Sequence, residues 1–198
     1  MDETRKKWDA IYAGRGDVVG EPVRVLSENS HLLPARGDAL EIACGLAANA
    51  AFLARRGLST LAWDISAVAI ERVNHYAAEQ GISLRGEVRD VGAAPPPAAS
   101  FDVIVVSHFL DRALVPALRA ALRPGGLLYY QTFTRTRVHE TGPSNPEFRL
   151  TENEFLRLFA GMRVLVFREE GLVGDTRAGL RDEALLVAMQ PSLEGPSQ

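Results

Sequence analysis

The sequence predicts an α/β protein with a mostly parallel sheet and helices on both faces. Short apolar runs alternate with segments of helical spacing along most of the chain, which is the pattern of strand–helix–strand units. One run, Phe101–Val106 (FDVIVV), is almost wholly apolar, as a strand covered on both faces requires. The last two runs have no helical segment between them. They are expected to pair as a hairpin and give the sheet an antiparallel ending.

Taken in order, Ala39–Ala43 reads as the first strand, followed by a turn at Cys44-Gly45 and a helix over about Ala47–Arg56. Thr60–Trp63 is the second strand, ending at Asp64. Ser66 then suits the N-cap of a helix to about Glu79, with Val68, Ile70, Val73 and Ala77 at helical spacing. Leu84–Val88 is the third strand, ending at Asp90, and GAAPPPAAS beyond it reads as a surface loop. After Phe101–Val106, a helix over about Leu114–Leu122 is expected to be stopped by Pro124-Gly125-Gly126. Leu127–Phe133 is the fifth strand. Thr151 and Glu154 form a capping-box pattern for a helix to about Phe159. Arg163–Glu169 and Glu183–Gln190 are the last two strands.

Composition bounds the function. The chain has 198 residues, 46% hydrophobic and 24% charged, enough for one domain with an ordinary core. One domain is expected over residues 1–190, with 191–198 (PSLEGPSQ) as a disordered tail. A single cysteine, Cys44, excludes an internal disulfide and a cysteine-based zinc site. The net charge of −3 argues against a nucleic-acid partner. No run reaches the length of a membrane span, and MDETRKKWDAIY lacks the apolar core of a secretory signal. A cytoplasmic protein with no membrane partner is expected. Nothing in the sequence fixes an oligomeric state or calls for a metal.

In an open α/β sheet, ligands bind beyond the carboxyl ends of the strands. Those ends carry Cys44-Gly45, Asp64, Asp90 and Ser107-His108. Asp64 lies 19 residues beyond Gly45, the spacing of a carboxylate that accepts from two ribose hydroxyls. Asp90 could accept from an exocyclic amine. Ala47 and Ala50 stand where a dinucleotide fingerprint needs glycines, and no Walker sequence is present. A nucleoside cofactor without phosphates remains.

ALEIACGLAANA, AWDIS, RDV, FDVIVVSHFL and LRPGGLLYYQTF, in that order over Ala39–Phe133, resemble the spaced motifs of class I S-adenosylmethionine-dependent methyltransferases. KKWDAIYAGRG and ETGPSNPEFRLTENEFLRLF are similar to segments of the tellurite-resistance and small thiol methyltransferases. The resemblance implies a three-layer Rossmann-like sandwich with seven strands in the order 3-2-1-4-5-7-6, the last strand antiparallel. It implies S-adenosylmethionine as cofactor and methyl transfer to a small-molecule acceptor, such as a thiol or a tellurium or selenium oxyanion.

It also implies roles for particular residues. Glu41 and Asn49 organise the amino-acid end of the cofactor beside Cys44, Gly45 and Ser107. Ile65 and Val91 sandwich the adenine. The segment 1–35 is a helical lid carrying Trp8 and Tyr12. His108 and Arg112, after the fourth strand, would act on the acceptor, His108 as a base and Arg112 as an anchor for an anion. Arg135, Arg137, His139 and Glu140 would form the opposite wall. Ala47 stands in place of the second loop glycine. Its methyl is expected to crowd the methionine end, and Ala47→Gly to tighten binding with a slightly lower melting temperature. That alanine leaves a second reading, a non-catalytic cofactor-binding relative acting as a sensor or partner subunit.

Overall fold

The computed structural model describes residues 2–15 and 20–192, so the expected tail lies, from residue 193 on, outside the described residues. The helices are α1 (Asp2–Ala13), α2 (Arg24–Glu28), α3 (Ala48–Arg55), α4 (Ala67–Gln80), α5 (Val115–Ala121) and α6 (Glu154–Leu158). The strands are β1 (Asp38–Ile42), β2 (Ser59–Asp64), β3 (Leu84–Val88), β4 (Phe101–Ser107), β5 (Leu122–Phe133), β6 (Arg163–Arg168) and β7 (Glu183–Met189). They form one seven-stranded sheet in the order β3-β2-β1-β4-β5-β7-β6. The pairs from β3 across to β5 are parallel. β7 runs antiparallel to both its neighbours. This is the topology the sequence predicts.

Side-chain alternation explains the layers. Leu40, Ile42, Ile104, Val106, Leu128 and Tyr130 pack with α5 and α6. The intervening residues Ala39, Val103, Val105, Leu127 and Tyr129 pack on the other face with α2 and α3. Period-2 burial on both faces leaves little room for polar residues in the central strands. Two that do occur there, Glu41 and Gln131, are each hydrogen-bonded.

Two boundaries differ from expectation. The helix after β4 opens as a 3-10 turn over Arg112–Leu114 and ends at Ala121, and Leu122 is already extended and paired with Phe101. Pro124 disfavours helical geometry just before it, and a free strand partner takes up the chain. The pairing then slips between Phe101 and Val103 to pass the Pro-Gly-Gly step. The helix at Thr151 is shorter than expected because only half of the capping box forms. The Glu154 carboxylate accepts from the Thr151 backbone N–H at 2.7 Å and from its hydroxyl at 2.9 Å. Arg112 also grips that carboxylate, at 2.6 and 3.2 Å, which fastens the start of α6 to the segment after β4.

On the α6 face, Phe155 is fully buried against Tyr130, with ring centroids 4.8 Å apart, and against Phe159 at 6.2 Å. Truncating an aromatic of this kind costs about 3–5 kcal/mol. We expect Phe155→Ala to lower the melting temperature by roughly 6–20 °C for a chain of this length. Thermal denaturation followed by circular dichroism reads this directly, and a shift under about 3 °C would mean that the cluster is not a supporting part of the sheet.

Candidate functional site

The candidate site lies along the carboxyl edge of β1, β2, β4 and β5. At its centre is Glu41, a carboxylate with 1% exposure in the middle of the sheet. Its two oxygens accept from the Asn49 side-chain amide at 2.7 Å and the Ala50 backbone N–H at 2.8 Å. The Asn49 amide also donates to the Ser107 hydroxyl at 3.2 Å, and its oxygen accepts from the Val23 N–H at 2.9 Å. One carboxamide therefore joins β1, the end of β4, the start of α3 and the entry to α2. Burial pushes the Glu41 carboxyl up to about 8, against the opposing pull of Asn49 and Ala50 and with a further push from Asp64.

The loop between β1 and α3 turns through positive φ at Ala43, Gly45 and Ala47 (52°, 53° and 58°). Alanines take that φ at two of the three positions, but a side chain at Gly45 would also meet the Tyr12 hydroxyl, 2.7 Å from the position of a Cβ. Its N–H donates to Asp64 at 2.8 Å, and the other Asp64 oxygen accepts from the Ser66 N–H at 2.9 Å. Each Asp64 oxygen keeps a lone pair for a further donor. Asp64 is 6% exposed, and burial raises its pKa despite those backbone hydrogen bonds. Ile65 and Val91 are half-buried at the neighbouring strand ends. Asp90 holds an Asx turn, accepting from Gly92 at 3.0 Å and Ala93 at 3.3 Å. Cys44 is buried, and burial holds its thiol well above the ordinary range, as suits a packing residue.

Ala47 is 1% exposed and belongs to the buried cluster between α3 and α4, with Ala50, Ala51, Ala62 and Ile70. The expected loss of stability in Ala47→Gly changes, because the alanine is left-handed.

The N-terminal helix covers the loop. Tyr12 is buried over Gly45, and the exposed Trp8 stacks on it with centroids 5.7 Å apart. Asp9, between them, accepts from the Ser66 hydroxyl at 2.6 Å and the Val68 N–H at 3.3 Å, which pins α1 to the start of α4. Ser66 caps α4 as expected, accepting from the Ala69 N–H at 3.2 Å.

On the acceptor side, His108 takes a positive φ of 52° and stacks on Phe133 at 4.9 Å. Its Nε2 lies 2.9 Å from Glu183. The second Glu183 oxygen accepts from the Gln131 amide at 2.5 Å, and the Gln131 oxygen accepts from the Val25 N–H at 2.8 Å. Burial opposes ionisation of Glu183, but His108 and Gln131 outweigh it and hold the carboxyl below the ordinary range. Arg112 has a different setting from the one expected. Besides Glu154, its guanidinium donates to the carbonyls of Glu147 at 2.6 Å and Arg149 at 3.0 Å. Of the other wall residues, Arg135 pairs with Glu147, Arg137 with Glu140, and His139 with Asp182 at 2.6 Å.

The structure therefore brings Glu41, Asn49, Ser107, Gly45, Asp64 and Tyr12 into one connected region, with His108 next to Ser107 in the chain. It places Arg112 in the frame of the wall. Sequence reasoning missed Asp9, Gln131 and Glu183. A signal existed for Gln131, a polar residue inside the apolar run LLYYQTF, because a buried amide needs partners.

Residues 39–126 match the family model described as "Methyltransferase domain". The chain is similar to the ubiquinone biosynthesis O-methyltransferase of Xanthomonas axonopodis pv. citri, 27% identical over 135 residues, which are 65% of this chain and 56% of that protein. It is also similar to the protein of the same name from Methylocella silvestris, 34% identical over 102 residues, covering 49% and 40% of the two chains. The chain thus spans about half the length of these curated relatives. Among solved structures, a protein described under "Conversion of a Disulfide Bond into a Thioacetal Group during Echinomycin Biosynthesis" superposes with a TM-score of 0.71 at 21% identity, covering 96% of this chain and 94% of the other. TehB from Haemophilus influenzae superposes at 0.69 and 18% identity, covering 92% and 67%. A Methanosarcina mazei S-adenosylmethionine-dependent methyltransferase superposes at 0.66 and 20%, covering 87% and 100%.

The glycine loop and the carboxylate beneath it can each be tested. In the unfolded chain the Glu41 carboxyl ionises near 4.5, and in the fold near 8. Between those values the unfolded chain releases a proton that the fold keeps. This group therefore lowers stability progressively as pH rises from about 4.5 to about 8, by up to about 1.4 kcal/mol per pH unit. Urea titrations at several pH values should show a contribution of that size, and Glu41→Gln should remove that part of the slope whatever its absolute stability. An unchanged slope in the variant would place the shifted proton elsewhere. For Ala47→Gly, relief of left-handed strain of about 1–2 kcal/mol opposes a lost methyl of about 0.8 kcal/mol and added unfolded-state entropy of about 0.4–1 kcal/mol. The expected result is a melting temperature within about 3 °C of wild type and unchanged cofactor affinity by calorimetry. Tighter binding in the variant would show that the methyl does reach the ligand.

Proposed function

We propose that this chain, whose residues 39–126 match a methyltransferase domain, is a class I S-adenosylmethionine-dependent methyltransferase that methylates a hydroxyl oxygen of a small molecule. The observation that carries the reading is the direct junction of two built networks at the sheet edge. Ser107 closes the Glu41–Asn49 network at 3.2 Å from Asn49, and the next residue, His108, is braced by Glu183 at 2.9 Å.

The residues fit the cofactor. Asp64 has spare acceptor capacity for ribose hydroxyls. Ile65 and Val91 offer half-buried apolar surface for the adenine. Gly45, lacking a side chain, and Asn49 with Glu41 flank the place for the amino-acid end, and Tyr12 with Trp8 covers it. S-adenosylmethionine, when bound there, supplies a methyl group already activated by its sulfonium. The chain's own work is then to align the acceptor, exclude water and remove the acceptor's proton.

His108 takes that last task, receiving the hydroxyl proton on its imidazole while Glu183 balances the charge. Arg112 holds the wall by clamping Glu154 and two carbonyls, acting on the acceptor only through that wall. An oxyanion acceptor would need no base, which weighs against the tellurium and selenium reading. The curated relatives' shared name, an O-methyltransferase of ubiquinone biosynthesis, supports an oxygen acceptor. The non-catalytic reading rested on Ala47, and the burial of that residue in the α3–α4 cluster weighs against it.

The test pairs binding with turnover. Calorimetry with S-adenosylmethionine and its demethylated product should show binding of both. Transfer of labelled methyl should then be faster to catechol than to thiophenol or tellurite. Preference for thiophenol or tellurite would overturn the oxygen reading, and absence of binding would overturn the cofactor. Asp64→Ala should weaken cofactor binding by roughly 10–100-fold, the worth of a charge-assisted hydrogen bond of about 1.5–3 kcal/mol. Asp90→Ala should cost less, since Asp90 already serves a turn. His108→Ala should lower kcat toward catechol by about 10²–10⁴-fold with cofactor affinity unchanged.

A further inference from the structure

The hydrogen bonds around His108 have a direction, and the direction starts at a backbone amide. The Val25 N–H can only donate, so the Gln131 atom that meets it at 2.8 Å is the carboxamide oxygen. That fixes the Gln131 –NH₂ toward Glu183, where it donates at 2.5 Å. The Glu183 carboxylate can only accept. Its other oxygen faces His108 Nε2 at 2.9 Å, so that nitrogen must carry the proton. In the neutral ring the lone pair is then on Nδ1. Each step follows from donor and acceptor capacity, and Gln131, 3% exposed, lies on the side of β5 that faces α2.

We propose that Gln131 and Glu183 are positioning residues for His108: Gln131 holds the Glu183 carboxylate in place, and that carboxylate sets the tautomer, making Nδ1 the atom that accepts the proton from the acceptor hydroxyl. This deepens the reading of His108 as the base and rests on it. The balance is simple. The acceptor O–H bond breaks, the proton joins Nδ1, and the imidazolium formed keeps its Nε2–H on the Glu183 carboxylate. Glu183 stays ionised in both states, in line with its lowered pKa, in which burial is outweighed by His108 and Gln131.

The chain of donors predicts an inversion. In Glu183→Gln, Gln131 still donates to the oxygen of the new amide. The –NH₂ of that amide must then face His108 and donate to it. Nε2 becomes an acceptor and the proton moves to Nδ1, with the ring still in place. In the serine-protease triad, exchanging the carboxylate that sets the histidine tautomer for an amide keeps the geometry and lowers kcat about 10⁴-fold. A loss of that order toward catechol is expected in Glu183→Gln.

Nitrogen-15 NMR of histidine-labelled full-length protein tests this without reference to turnover, with His108→Gln assigning the signal. Wild type should show a protonated Nε2 and an unprotonated Nδ1. Glu183→Gln should exchange the two. Glu183→Met, which removes the carboxylate but keeps the volume, should leave a mixture of both tautomers. Circular dichroism and affinity for S-adenosylhomocysteine establish that each variant is folded. Should Glu183→Gln fail to fold, the wild-type and Glu183→Met spectra decide. A wild-type proton on Nδ1, or a tautomer indifferent to Glu183→Met, overturns the proposal. If the tautomers behave as expected but His108→Ala retains full transfer to catechol, the tautomer assignment stands and the base reading falls.

Discussion

A carboxyl group in the middle of a sheet, covered on both faces, must find hydrogen-bond partners or it would destabilise the fold. Glu41 is that group, and the Asn49 carboxamide is its principal partner. Asn49 spends its remaining capacity on Ser107 and on the Val23 N–H. Four separate stretches of chain are thereby fixed relative to one another at the point where strand order reverses between β1 and β4. The loop from Ala43 to Ala47 is shaped around the same constraint. It must bring Ala50 within 2.8 Å of Glu41 while Gly45 reaches Asp64 on the next strand. Three left-handed residues in five are the result, a strain that persists only because those hydrogen bonds over-determine the backbone.

The entry to α2 extends this organisation to the other half of the edge. The Val23 N–H belongs to Asn49 and the Val25 N–H to Gln131. A helix of five residues has little stability of its own. Two buried side chains and the apolar contacts of Val25 and Leu26 hold it. Through that short element the groups near Glu41 and those near Glu183 share one rigid support. Misplacement at either end would be felt at the other, and a methyl transfer that depends on alignment has reason to use a common frame.

The architecture was legible in the sequence because its signals are local. Apolar runs of strand length, the Ser66 cap and the turn at Cys44-Gly45 each depend on neighbours within a few residues. The strand ends carrying Glu41, Asp64 and Ser107-His108 were legible for the same reason. What could not be read was any partnership across the sheet. Glu183 stands 75 residues from His108, and Glu154 stands 42 from Arg112. Nothing local distinguishes an arginine that greets a ligand from one that clamps a helix. The fate of Ala47 was hidden differently. The setting of a side chain there depends on φ, and at 58° Ala47 belongs to the α3–α4 cluster, which the residue string does not show.

The end of the sheet edge that carries His108 is built on other terms than the end that carries Asp64. There the wall comes from two long connections, 134–153 and 169–182, joined at one carboxylate. Asp182 accepts from the Val138 N–H at 2.5 Å, from the His139 N–H at 3.1 Å and from the His139 ring at 2.6 Å. Arg149 gathers the carbonyls of Pro143, Thr134 and Thr141 from within the first connection. These contacts are between loops, and loops accept change more readily than strands do. Glu183, adjacent to Asp182 in the chain, pairs with His108 instead. One strand start therefore carries both the residue that joins the two connections and the residue that orients the histidine. On the proposed reading, the base is fixed by the strand while the wall around the acceptor is built from loops.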